Sequence, residues 1–180
     1  MLYLQRTSAT SDNHNIYITT EDQRKDQTVD VNRLRYLIKF TSDTKARAVN
    51  PTGQNTASTG SIYTYGQNQT VKDRFTKLQI TESTTNTSNV FTGAVSLTPS
   101  GFWMYEVYEV SYSDTVPVTL DENNSPITES DTANNTGAVH GTVKGLVESG
   151  KLFIEEAVGD EDVQYIHYTE STQNNYIYTQ

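Results

Sequence analysis

The feature that most constrains the fold is a run of apolar side chains at every second position. In Asn32–Thr41 this alternation begins at Leu34 and ends at Phe40. A period of two places these side chains on one face of an extended strand, whereas an amphipathic helix repeats its apolar positions every three or four residues. Several other segments share the pattern. The sequence therefore predicts an all-β protein.

Short strand-like segments with turn residues between them are typical of antiparallel sandwiches and barrels. The chain has 180 residues, which suits one domain. We predict an antiparallel β-sandwich, immunoglobulin-like or jelly-roll-like, with a long acidic loop and an extended C-terminal arm. The predicted strands are Met1–Arg6, Asn15–Thr20, Asn32–Thr41, Lys45–Val49, Ile62–Tyr65, Asp73–Glu82, Val90–Leu97, Gly101–Tyr112, Val139–Val147, Lys151–Glu156, Val163–Thr169 and Tyr176–Tyr178.

Gly101–Tyr112 is the richest of these segments in large apolar residues. Trp103 and Val107 fall on one face, and Met104 and Val110 fall on the other. A strand that is apolar on both faces is typical of the centre of a sheet that is covered on both sides. This segment is therefore predicted to be a central strand.

Polar composition alone would suggest disorder, because Ser, Thr, Asn and Gln make up 67 of the 180 residues. The aromatic and β-branched residues nevertheless lie in ordered alternating runs, which favours folded strands. The longest interruption, residues 114–137, contains two prolines and almost no bulky apolar side chain. We divide the chain into a main β-sandwich (1–113), an acidic polar loop or linker (114–137), further strands that complete or extend the sandwich (138–170) and a C-terminal arm (171–180).

Charge is distributed unevenly along the chain. Residues 1–80 carry a net charge of +4, whereas residues 81–180 carry -13. Such an acidic balance disfavours nucleic acid as a partner, because phosphate binding needs clustered cations. Two interpretations remain open: a solvated acidic surface, or electrostatic pairing with a basic neighbour or between copies packed head to tail.

Membrane and secretory segments are not expected. The sequence has no run of 18 apolar residues, which a membrane-spanning helix would need. Met1–Thr10 lacks the apolar stretch of a secretory signal.

Catalytic motifs are absent from the sequence. It contains no cysteine, no nucleophile elbow and no P-loop, and its three histidines are far apart in the sequence. Glu106 and Glu109 would face opposite sides of one strand, so they do not form the carboxylate pair of a glycosidase. We therefore expect no enzyme activity, no catalytic residue, no cofactor and no metal site.

Protein interfaces are the more promising kind of site. Cations on the polar face of Asn32–Thr41 form either a docking stripe or the solvated face of a sheet. The final strand-like run, after a polar spacer, pairs either with a neighbouring subunit or within its own chain. The candidate interface residues are Arg33, Arg35, Lys39, Tyr176, Ile177 and Tyr178.

Five spaced blocks resemble small β-sandwich virion proteins of tailed bacteriophages, including those of crAss-like and related phages. The blocks are Tyr36–Asp43, Phe75–Glu82, Gly101–Val110, Val147–Glu156 and Val163–Tyr168. Gly101–Val110, which reads GFWMYEVYEV, carries the strongest likeness. Asp114–Gly137 and Ser171–Gln180 look like additions to that pattern.

The resemblance implies a non-catalytic head, neck, tail or fibre component of the virion, assembled in the host bacterial cytoplasm. Its expected partners are other virion proteins, such as capsid, neck or fibre subunits, in a symmetric homo- or hetero-oligomer, with no nucleic acid or membrane. The absence of cysteine agrees with assembly in a reducing compartment. The alternative function is a carbohydrate-binding or adhesin module, for which a solvent-exposed Trp103 would be evidence.

Overall fold

The computed structural model describes residues 1–7, 10–19, 24–42, 61–72, 74–83, 88–113, 118–131 and 140–156. These residues form extended strands with connecting turns and a single turn of 3-10 helix at Val31–Arg33. The strands are β1 (Leu2–Gln5), β2 (Ser11–Ile18), β3 (Leu34–Ser42), β4 (Ser61–Tyr65), β5 (Gln67–Val71), β6 (Thr76–Ser83), β7 (Ala94–Val95), β8 (Gly101–Tyr112) and β9 (Gly141–Glu155).

The strands form two sheets that pack together as a β-sandwich, which confirms the predicted all-β class. The larger sheet has the order β1-β9-β8-β3-β4, and the smaller has β2-β6-β5 with β7 beside β6. Most neighbours are antiparallel, but β1 pairs with β9 and β6 pairs with β7 in parallel. As predicted, Gly101–Tyr112 is a single central strand, β8, lying between β9 and β3.

The main core lies between the two sheets and is built from every second residue of their strands. Trp103, Tyr105 and Val107 of β8 point into it, together with Ile38 of β3 and Ile80 of β6. Burial of such side chains contributes about 1.5–3 kcal/mol each before the entropy cost of ordering them. The alternation in the sequence therefore grouped the buried residues of one face of β8 correctly, but the prediction that both faces are covered is wrong at Phe102 and Met104, which are exposed.

A second apolar cluster lies on the opposite, outer face of the larger sheet. Leu37 and Val110 contribute to this cluster from the middle strands, and Tyr65 and Tyr112 extend it. A loop over residues 118–131, called the covering segment below, packs its apolar residues on this cluster. It is the described part of the acidic polar loop predicted at 114–137. Leu37 had interrupted the polar face of its strand in the sequence, and its complete burial explains why.

Several strands differ from the sequence expectation, and β2 begins at Ser11, four residues before the predicted Asn15. Val90–Leu97 was expected to be a strand, but only Ala94–Val95 is one, because residues around it form turns instead. Two predicted strands after residue 138 are parts of the single long strand β9. β5 was not predicted, because its sequence QNQTV has no apolar alternation. The expected strands Lys45–Val49 and Val163–Thr169, and the arm 171–180, lie outside the described residues.

Gly66 marks the point where the chain passes from the larger sheet to the smaller one. It is the single residue between β4 and β5. A Cβ atom at this position would lie 2.7 Å from the Cβ atom of Leu78, which is buried in β6. Glycine is therefore needed here for the close approach of the two sheets.

Two buried acids tie loops and termini to the sandwich. Glu82 of β6 forms an ion pair with Arg6, which follows β1, at 2.7 Å, and Arg6 also donates to the carbonyl oxygen of Leu97. Glu109 is fully buried on the inner face of β8, where it accepts hydrogen bonds from the backbone N–H groups of Lys25 and Asp26. Both acids thus satisfy groups that burial would otherwise leave unpaired.

Candidate interaction surfaces

A row of aromatic side chains, exposed at Tyr3 and Phe102 and partly buried at Phe153, crosses three strands on the outer face of the larger sheet. Tyr3 of β1 stacks on Phe153 of β9 with ring centroids 6.1 Å apart, and Phe153 contacts Phe102 of β8 at 4.9 Å. Tyr3 is 53% exposed and Phe102 is 51% exposed. Strand register creates the row, because Phe153 pairs with both of the other residues. We call these three residues the aromatic row.

Met104 extends the apolar surface beyond the aromatic row, two residues further along β8, and is also exposed. At the edge of the row, the hydroxyl of Tyr3 donates to the carboxylate of Glu155, which raises the pKa of Tyr3. Contiguous exposed aromatic side chains are enriched in protein interfaces, where they give large contact areas with little loss of conformational freedom. The row is therefore a candidate docking surface.

The smaller sheet carries a second exposed aromatic contact. Tyr17 and Phe75 meet edge to face, with centroids 5.4 Å apart. Tyr17 lies on β2 and Phe75 immediately precedes β6. This pair has a similar composition and exposure but lies on the other sheet, so it provides a matched control for experiments on the aromatic row.

At the other end of the same outer face, a charged cluster attaches the covering segment to the sheet. Glu129 of this segment accepts hydrogen bonds from Lys39 of β3 at 2.6 Å and from the hydroxyl of Tyr63 of β4 at 2.5 Å. Lys39 also lies 3.1 Å from the carboxylate of Glu106 on β8. The cluster therefore joins three neighbouring strands to one loop.

The pKa directions in this cluster agree with its geometry. Burial disfavours the charged form of Glu129, but hydrogen bonds from Lys39 and Tyr63 outweigh it and lower the pKa below its usual 4.5. Burial likewise opposes the charge on Lys39, yet its bonds to Glu129 and Glu106 raise the pKa. Burial, and next the bond to Glu129, raise the pKa of Tyr63. Near neutral pH the arrangement holds a carboxylate, an ammonium and a neutral phenol.

The three cations that were predicted to form a docking stripe lie in three different environments. Arg33 donates from Nε to the carbonyl oxygen of Tyr112 and from its guanidinium to that of Ser113, so it holds the end of β8. Lys39 belongs to the cluster under the covering segment. Arg35 lines an open cleft. The three remaining candidates, Tyr176, Ile177 and Tyr178, lie outside the described residues.

The cleft around Arg35 has a volume of about 950 Å³, at the upper end of the range for ligand pockets. One wall is the whole of β5 with Gly66, and the facing walls are the 3-10 turn and the first residues of the covering segment. We call it the polar cleft. Its polar groups include the side chains of Asn32, Gln67 and Gln69, and its apolar groups include Phe91 and Leu120.

Within the part of the chain that the structure describes, no group of three or more histidine, aspartate or glutamate residues is placed to hold a metal ion. His14 lies on β2 and His140 directly precedes β9, while His167 is outside the described residues. None of the described helices is long and apolar enough to cross a membrane.

Comparisons with protein-family models, with curated proteins and with solved structures find no match to this chain.

The sequence predicted neither the aromatic row nor the polar cleft. Tyr3, Phe102 and Phe153 are far apart in the sequence, and only the strand order β1-β9-β8 makes them neighbours. Arg35 was identified as an interface candidate, but the cleft beside it requires β5, which carries no apolar alternation. The Gln-Asn-Gln run of β5 was the one available signal, since amides are well suited to polar recognition.

Proposed function

We propose that this chain is a non-catalytic structural component of a tailed-phage virion that binds other virion proteins, such as capsid, neck or fibre subunits. The observation that carries the proposal is the exposed aromatic row, together with Met104 beside it. Interface hot spots are enriched in aromatic residues, and a sandwich gives them a rigid support. The five sequence blocks that resemble phage virion proteins are the reason to expect this partner in a phage particle.

A protein partner suits the chemistry of this surface better than a sugar does. Two of the three rings are phenylalanines, which have no polar group for sugar hydroxyls, and the nearby Met104 is apolar. The only tryptophan, Trp103, is 1% exposed and donates its indole N–H to the carbonyl oxygen of Pro99, so it provides no platform for a sugar. Carbohydrate binding therefore stays the second candidate, with the aromatic row as its only exposed platform on the described larger sheet.

The direct test is incorporation of variants into phage particles. The double variant Phe102→Ser and Phe153→Ser removes most of the aromatic row, and we expect its abundance in purified particles to fall at least tenfold. The matched control is Tyr17→Ser with Phe75→Ser, which removes the aromatic pair of the smaller sheet and should leave incorporation unchanged. Quantitative mass spectrometry against the major capsid protein measures both, and emission of the buried Trp103 reports whether each variant is folded.

The copy number of the chain in purified particles then indicates its position within the phage. About a dozen copies would indicate a neck or tail ring, whereas several tens or more would indicate the capsid surface or its fibres. Absence of the wild-type chain from purified particles would overturn the virion proposal. Binding of the wild-type chain to a host polysaccharide, lost in the Phe102→Ser and Phe153→Ser variant, would then assign the row to carbohydrate.

The C-terminal arm gives a second, independent test of the same function. Its candidates Tyr176, Ile177 and Tyr178 would add a strand to a sheet edge of another subunit. We expect deletion of residues 171–180 to prevent incorporation and to leave the fold intact. Normal incorporation of the shortened chain would remove this role from the arm without affecting the proposal for the aromatic row.

A further inference from the structure

Among the described residues the larger sheet ends at β1, and the hydrogen bonds of this strand show which backbone groups lie on its outer side. The N–H of Arg6, directly after β1, donates to the carbonyl oxygen of Glu155 in β9. Along a strand, the N–H and C=O of one residue point to the same side, and those of the next residue point to the opposite side. The even-numbered residues of β1 therefore face β9, as Arg6 does. Tyr3 and Gln5 direct their N–H and C=O groups away from the described sheet.

The other three terminal strands of the two sheets have features by which natural sheets hinder the addition of a further strand. β4 is covered at its edge, because the N–H of Tyr65 donates to the carbonyl oxygen of Val90. β5 is distorted at Asn68, which has a positive φ of 50°, and its register with β6 shifts at that point. β2 carries Asp12 and His14 on the face that is buried further along the strand.

β1 has none of these features. Its sequence, LYLQ, contains no proline and no charge, and its register with β9 is regular. Tyr3 is 53% exposed and Met1 is 83% exposed, so the described structure leaves both side chains uncovered. The accessible edge ends after the strand, where the N–H of Thr7 donates to the carboxylate of Asp12 at 2.7 Å. An added strand can therefore pair along residues 1–5.

We propose that two copies of this chain pair through β1 in antiparallel orientation, so that their larger sheets join into one continuous sheet. The strand is complementary to itself when Tyr3 lies opposite the Tyr3 of the second copy. In this register the two Tyr3 residues exchange two N–H···O bonds, and the N–H of each Gln5 reaches the Met1 carbonyl oxygen of the other copy. A shift by two residues would place Met1 opposite Thr7, whose N–H is already bonded.

The same arrangement extends the aromatic row. A twofold axis normal to the sheet relates the two copies and keeps their outer faces on the same side. Tyr3 is the last residue of the row at the sheet edge, so pairing places the two Tyr3 residues side by side, with Cα atoms about 5.5 Å apart. The two rows then form one continuous aromatic surface across both copies. This dimer goes beyond the proposed virion function and does not depend on it.

The size of the contact sets the strength that we expect. β1 has four residues, so the pairing buries much less than the area of a standard interface. Small interfaces are typical of weak and reversible complexes. We therefore expect the full-length chain to dimerise as its concentration rises towards about 1 mM and to dissociate on dilution. Sedimentation velocity over this range measures the association.

Tyr3→Pro tests the backbone bonds. It removes the N–H that points away from β9, and proline is tolerated at such an edge position, so the sandwich should stay folded. We expect the association to weaken by at least about tenfold, because the two central bonds of the pair are lost. The matched control is Tyr3→Ala, which removes the same ring but keeps the N–H, and it should associate more strongly than Tyr3→Pro. Emission of the buried Trp103 reports whether each variant is folded.

Cross-linking tests the register independently. The natural sequence contains no cysteine, so Tyr3→Cys introduces a single thiol beside the proposed twofold axis. A short bis-maleimide should therefore link two copies of this variant. The matched control is Phe102→Cys, on the same face but two strands away from the axis. Its two thiols would be five strand spacings apart in the dimer, about 24 Å, and should not be linked.

Three results would each overturn the proposal. These are a wild type that stays monomeric up to about 1 mM, a Tyr3→Pro variant that associates as well as Tyr3→Ala, and a Tyr3→Cys variant that cross-links no faster than Phe102→Cys. If Tyr3→Pro does not fold, the cross-linking comparison decides alone. A monomeric wild type in which the Tyr3 amide is protected from hydrogen exchange would show that the same chain covers this edge. The experiments need no phage particle, so their failure is separate from failure of the virion function.

Discussion

The two ends of the outer face of the larger sheet have similar residues and opposite surroundings. At one end, Tyr65 and Tyr112 are buried under the covering segment. At the other, Tyr3 and Phe102 are about half exposed. β8 contributes an aromatic residue to each end, at Tyr112 and Phe102, in the same alternating pattern. The comparison teaches that coverage by a loop, and not the strand sequence, decides whether an outward aromatic side chain belongs to a core or to a docking surface.

Truncation of one aromatic residue at each end should give the largest contrast. Tyr65→Ala removes a fully buried ring and its hydrogen bond to the carbonyl oxygen of Pro126, and we expect the free energy of unfolding to fall by about 3–5 kcal/mol. Phe102→Ala removes an exposed ring and should change it by less than about 0.5 kcal/mol. Chemical denaturation of both variants measures the difference. Equal losses would show that the aromatic row is a structural core.

Removal of the charge that anchors the covering segment should have a smaller effect. Glu129→Gln weakens the contacts to Lys39 and Tyr63, and we expect a loss of about 1 kcal/mol together with faster amide exchange within residues 118–131. Exchange around the aromatic row, in β1 and the first half of β8, should stay unchanged. Faster exchange at both ends would show that the two ends are coupled.

Low pH should destabilise the packing of the covering segment without affecting the aromatic row. The pKa of Glu129 is lower in the folded protein than its ordinary 4.5, so its contribution to stability is complete above about pH 4.5 and is lost as the pH falls through the folded-state value. Hydrogen exchange of residues 118–131, normalised for intrinsic rates, should therefore rise below pH 4.5. The Glu129→Gln variant lacks this group, so its exchange should depend less on pH. An identical pH dependence in both proteins would contradict the assignment.

Swapping two neighbouring side chains on β8 should change the structure least. Tryptophan fluorescence then reports the solvent exposure of each face of the strand. Trp103 is buried on the inner face, so its emission should be blue-shifted and resistant to acrylamide. The double variant Trp103→Phe and Phe102→Trp moves the only tryptophan to the outer face, where emission should shift to the red and quenching should rise. If the row docks on a partner, adding that partner should reverse both changes. Unchanged emission in the double variant would contradict the exposure of the row.

Much of the sandwich was predictable, because a strand that buries one face must alternate its side chains. That alternation located β1, β3, β4 and β8, grouped Trp103, Tyr105 and Val107 on one face of β8, and indicated through Leu37 that the polar face of β3 is partly covered. It failed at β5, where both faces are polar. It also misjudged Val90–Leu97, whose apolar residues are buried from turns and from the short strand β7. Burial in irregular structure carries no period, so no pattern identifies it in advance.

The candidate sites were less predictable than the fold. Arg33, Arg35 and Lys39 were predicted to share the polar face of one strand, yet Arg33 lies in the 3-10 turn before β3, and of the three only Arg35 lines an open cleft. Lys39 has two carboxylate partners, Glu106 and Glu129, and Glu129 lies 90 residues further along the chain. Whether a cation is free for a ligand depends on such distant partners, which the sequence around it does not contain.

By itself, the sequence determined the all-β class, the central place of Gly101–Tyr112 and the shared face of Trp103, Tyr105 and Val107, because these follow from local alternation and from composition. The tertiary structure alone decided that Tyr3, Phe153 and Phe102 form one surface and that β5 and Arg35 line one cleft. Strand order is set by the packing of the whole chain, since each sheet has to bury its inner face against the other. The surfaces available for binding are therefore a property of the assembled sandwich.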